Sequence, residues 1–83
     1  MNGQTDYIRS LIMKNRLVNL RFPKGYIELY LENNMIVKVP VGLFPDIKKL
    51  PAKDRDDWQI LDGVGFTFKK SDEGFHLRQF GLQ

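Results

Sequence analysis

Cysteine is absent from the 83 residues. Its absence removes disulfides, thiolate nucleophiles and thiolate zinc sites together, and in so short a chain it argues against an extracellular, disulfide-stapled design. A cytoplasmic setting is the expectation. Histidine occurs once, as His76. Long apolar runs are missing as well, and Met1 to Met13 carries Asp6 and Arg9 where a signal peptide needs an unbroken apolar stretch. No membrane or export segment is therefore expected. Charge of one sign is scarce: thirteen basic against ten acidic side chains leave +3, with both signs interspersed. That excess is weak support for a nucleic-acid partner. Neither an internal repeat nor a low-complexity tract occurs.

What the chain does have is ordinary globular material. Hydrophobic residues make up 42% and charged residues 28%, a composition that folds. A chain of this length supports one core, so the ten aromatic residues must nearly all be used in it, with little left over for a deep cavity.

The periodicity divides the chain into segments. Thr5 to Met13 places Tyr7, Ile8, Leu11 and Ile12 at helical spacing behind a capping threonine, which predicts a short helix in a 1–15 leader. From Arg16 the period becomes two, with Val18, Leu20 and Phe22 on one face and Leu17, Asn19 and Arg21 on the other. Pro23 to Gly25 forms a turn, Tyr26 to Glu32 alternates again with Ile27, Leu29 and Leu31 inward, and Asn33-Asn34 turns into a third strand, Met35 to Val39. Leu43, Phe44, Ile47 and Leu50 then fall on one side of a predicted helix from Val41 to Leu50. A second short helical segment follows from Ala52 to Trp58, and Val64 to Lys70 reads as a last strand before an apolar tail, Phe75 to Leu82, that packs on the domain.

The ordered series Val39-Pro40-Val41-Gly42-Leu43-Phe44-Pro45, a charged segment ending at Trp58, then Gly63-Val64-Gly65-Phe66-Thr67-Phe68 and Asp72-Glu73 resembles a bacterial family called domain of unknown function 2442. The resemblance runs from about Arg16 to Leu82, with 16–83 as the domain. It departs at Gly42, at Pro51-Ala52, and at Phe66-Thr67-Phe68-Lys69, where the family tends toward an I-H-W-P pattern. It implies a meander followed by a helix. It implies no established activity; members occur as standalone small proteins, sometimes beside another small protein in a toxin–antitoxin-like arrangement, and sometimes fused to a helix-turn-helix domain.

Residue chemistry points away from catalysis. A nucleophile needs an adjacent base, and His76 lies in the apolar C-terminal segment with Ser71 as its nearest serine. Asp54, Asp56 and Asp57 alternate with Lys53 and Arg55 as a solvated surface would. No ligand spacing suits a metal, and Gly63-x-Gly65 leads into a strand rather than opening a helix on a phosphate. No enzyme activity, cofactor or metal is expected. Lys48-Lys49 and Lys69-Lys70 would contact phosphates if the fold joined them in one patch, or else are two solvated edges. The more suggestive feature is the outward face of the sheet, where Tyr26 and Tyr30 stand together with Leu17 and Ile36 alongside. Such a face is covered either by the leader or by another chain.

The expected fold is α+β: an antiparallel sheet of the three-stranded meander plus the Val64 to Lys70 strand, one main helix packed on it, and the short N-terminal helix. Its expected core is Val18, Leu20, Ile27, Leu29, Leu31, Val37, Val39, Leu43, Phe44, Ile47, Trp58, Phe66 and Phe68. The expected function is a non-enzymatic interaction or regulatory module that binds a protein partner or itself, with a nucleic-acid accessory role as the alternative.

Overall fold

The structure, a computed structural model, describes residues 15–82. The predicted leader helix lies outside the described residues. The meander is present: β1 (Leu17–Arg21), β2 (Tyr26–Leu31) and β3 (Ile36–Pro40) form one antiparallel sheet in that order. Gly25 reaches φ 82° in the first turn, where glycine carries no steric cost, and Asn34 reaches φ 73° in the second. Asn33 Oδ1 accepts from the Met35 amide at 3.0 Å and fixes that second turn.

The expectation of one sheet under one main helix is corrected. A second three-stranded antiparallel sheet follows, made of β4 (Trp58–Leu61), β5 (Gly65–Phe68) and β6 (Gly74–His76). Only short helical turns, none of seven residues, lie between the sheets. The predicted Val41 to Leu50 helix is broken in two, a 3-10 turn at Val41–Leu43 and an α-turn at Pro45–Lys48, because Phe44 precedes a proline. The pyrrolidine ring disfavours the α region for its predecessor, and Phe44 sits at φ −128°, ψ 82°. The next α-turn stops at Arg55, whose guanidinium donates to the carbonyls of Leu50 at 3.0 Å and Lys48 at 2.8 Å. Trp58, placed by periodicity at a helix end, instead opens β4 and pairs with Phe68.

β1 also departs from simple alternation. A bulge between Leu17 and Asn19 places Leu17 opposite Leu31 and Asn19 opposite Tyr30, with Val18 as the extra residue. Leu17 and Leu20 thereby both turn inward at 2% exposure, whereas Val18 is 52% exposed. Val18 and Leu43 leave the expected core, and Leu17, Val41, Leu50, Phe75, Leu77 and Leu82 enter it.

One core serves both sheets. Leu20, Ile27 and Leu29 from the first share a cluster with Phe66, Phe68 and Phe75 from the second, with Ile47, and with Leu77 just beyond β6. Each such side chain contributes about 1.5–3 kcal/mol by leaving water. Phe66 stacks on Phe75 with ring centres 5.4 Å apart and meets Phe68 edge-on at 5.7 Å. The sheets are joined by the Leu17 amide donating to the Gly63 carbonyl at 2.8 Å and by Arg16 Nη1 donating to the Asp62 carbonyl at 3.0 Å. The tail is packed as expected, through β6 and a 3-10 turn at Leu77–Phe80.

Candidate interaction surface

Strand register sorts the outer face of the first sheet into rows. Asn19, Tyr30 and Ile36 form one, joined by Val18 through the bulge; Arg21, Glu28 and Lys38 form the next; Tyr26 and Pro40 the third. Ile36 is 54% exposed, Tyr26 is exposed, and Tyr30 is half-buried. Leu17, expected on this face, belongs to the core because of the bulge. Val18 takes its place as an exposed aliphatic residue beside Ile36 in that row, and no alternation rule would have found it.

The middle row is polar and internally tied. Lys38 Nζ lies 4.0 Å from Glu28 Oε2 and 4.6 Å from the Tyr26 ring centre, while the Tyr30 hydroxyl donates to Glu28 Oε1 at 3.0 Å. A cation above an aromatic ring is attracted by the ring's negative face. The face is thus a charged band flanked by apolar and aromatic rows.

At the turn end of this sheet Asn15 is buried. Its Oδ1 accepts from the Asn33 amide at 3.0 Å, and its Nδ2 lies 3.9 Å from Met35 Sδ. On the inner side of β3, Val39, Leu43, Phe44, Gln79 and Phe80 line an open apolar groove. Leu43 stands 68% exposed there, beside the Phe44 ring stacked on Phe80 at 4.4 Å.

Three of the four paired lysines line two separate hollows. Lys49 and Lys70 line one together with Asp46, Asp72 and Glu73, and Lys69 lines another with Asp57, Trp58, Gln59 and Thr67. Lys48 is exposed at the end of its turn. Lys49 is already paired with Asp46 at 3.3 Å, so the first hollow has carboxylates matching its cations. Within it the Glu73 carboxyl is held above its ordinary range, chiefly by hydrogen bonding to Asp46, then by repulsion from that carboxylate and by desolvation, with Lys49 opposing. Among the described residues no group of three or more His, Asp and Glu side chains converges as metal ligands would.

His76 has a structural partner. Its Nδ1 accepts from the Arg78 amide at 3.2 Å while Gln79 Oε1 accepts from the His76 amide at 2.6 Å, a reciprocal cap on the last 3-10 turn. The Ser71 hydroxyl accepts from the Glu73 amide at 3.2 Å. No helix among the described residues is long and apolar enough to cross a membrane. Comparison with family models, curated proteins and solved structures gives no match to this chain.

Proposed function

We propose that this protein is a small interaction module that acts by binding another protein chain, in the regulatory manner of a toxin–antitoxin-like pair, and carries out no chemistry of its own. The observation behind this reading is the outer face of the β1–β3 sheet. There Val18, Tyr26 and Ile36 are exposed on a rigid surface around a charged band. Aromatic and aliphatic side chains held by strands cost little entropy to dock, and such patches mark interfaces more often than idle surface.

The absence of cysteine makes a direct test simple. A single cysteine introduced at Ile36, carrying a thiol-linked photocrosslinker, should capture a protein in the cells that make this chain, whereas the same probe at Gln59 on the second sheet should not. Equal capture at both positions, or at neither, would contradict the reading.

Nucleic acid is the second reading, and one observation favours it: Tyr26 and Tyr30 share their sheet face with Arg21 and Lys38, a combination on which unpaired bases stack. Glu28 at the centre of that face opposes it. Retention on single-stranded DNA at low salt, lost when Lys48, Lys49, Lys69 and Lys70 are replaced by glutamate, would support the basic patch instead.

A further inference from the structure

The first sheet ends at β3, and its edge is chemically specific. Hydrogen bonds from the Val41 amide to the Gly25 carbonyl and from the Leu31 amide to the Met35 carbonyl bracket the β2–β3 ladder. With Ile27 opposite Val39 and Leu29 opposite Val37, the bonded pairs recur every second residue. Ile36, Lys38 and Pro40 therefore turn their backbone groups away from β2. Ile36 and Lys38 each offer an amide and a carbonyl, Pro40 a carbonyl only, and no strand among the described residues pairs with that edge. From Asn33 to Phe44 the chain carries Lys38 and no carboxylate.

We infer that β3 accepts an extended peptide strand in which carboxylate and apolar side chains alternate. This rests on the interaction-module reading and names its partner's chemistry. The two free rungs at Ile36 and Lys38 supply backbone hydrogen bonds, and Pro40 ends the ladder. A residue of the added strand opposite Lys38 projects onto the outer face. There a carboxylate completes the coordination of an ammonium group that Glu28 already flanks on the other side at 4.0 Å. Neighbouring residues of the added strand project inward beside Val39, into the groove formed with Leu43, Phe44 and Phe80. The strand thus covers an aliphatic side chain that is 68% exposed in the free protein.

The test is a titration of the full-length, isotope-labelled protein with a blocked heptapeptide of alternating valine and glutamate, followed by amide exchange. The Ile36 and Lys38 amides should become protected, and a valine–lysine peptide should bind on the order of tenfold more weakly. The variant Ile36→Pro removes an outward amide that β2 does not use, so it should abolish binding while the remaining amide spectrum is retained. Lys38→Glu should reverse the preference between the two peptides. Equal affinity for both peptides, binding indifferent to Ile36→Pro, or β3 pairing with β3 of a second copy instead of with the peptide would each overturn the inference. Capture of a protein at Ile36 without protection of the β3 amides would leave the module reading standing and remove this one.

Discussion

Gly65 shows how a single residue can decide a local structure. A Cβ placed there would collide with the Phe75 carbonyl oxygen of the neighbouring strand, a backbone atom that cannot swing aside. Gly65→Ala should therefore cost about 1–3 kcal/mol, measured by urea denaturation, and should loosen β6 first. Gly63 and Gly65 stand ahead of an alternating strand in the sequence, where glycine serves either a bulge or a close backbone approach; pairing with β6 decides for the latter at Gly65. Asn15 was not legible in the same way, because its value depends on a partner, the Asn33 amide, that lies 18 residues away. Asn15→Ala should leave that amide without its acceptor, at a cost of about 1–3 kcal/mol, visible as a lowered denaturation midpoint. The lone histidine was legible only as a side chain of the apolar tail. Its particular role, capping with Gln79, required the 3-10 turn to be known.

At the scale of elements, alternation located β1 to β3 and β5 within a residue or two, because a sheet with one buried face writes its period into the chain. It failed where one residue disturbed the period. The bulge at Val18 exchanged Leu17 and Val18 between core and surface, and it is set by pairing with β2 rather than by composition. Helical spacing of Leu43, Phe44, Ile47 and Leu50 suggested a helix that the Phe44-Pro45 pair forbids. β4 was missed because charged residues lead directly into it and its first residue, Trp58, reads as the end of the helical segment that precedes it. The reciprocal cap on Leu77–Phe80 supplies a prediction at this scale: His76→Ala should cost about 1 kcal/mol and raise amide exchange at Arg78. Gln79→Ala should reproduce only part of that loss.

For the molecule as a whole, two sheets share one aromatic core, so the second sheet should unfold with the first in a single transition. Phe66→Ala, which removes the ring that touches Phe68, Phe75 and Phe80, should cost about 3–5 kcal/mol and abolish folding of both sheets together. The acidic hollow adds a pH dependence. Because the Glu73 carboxyl is raised in the folded chain, folding takes up a proton there, and stability rises as pH falls through that group's folded range. At neutral pH the charge on Glu73 beside Asp46 opposes folding, so Glu73→Gln should stabilise slightly at pH 7 and flatten the acidic limb of the stability profile. The proposed interaction face was half legible: Tyr26, Tyr30 and Ile36 follow from strand alternation, while the β3 edge and the Leu43 groove depend on long-range packing. The central claim is that this face binds a protein, and affinity capture of the tagged full chain from its own cells, beside an Ile36→Asp variant, tests it most directly. A partner recovered at near-equal stoichiometry with the unaltered chain and lost with the variant is the expected result. A partner retained by the variant, or a chain recovered alone in both cases, would contradict the account.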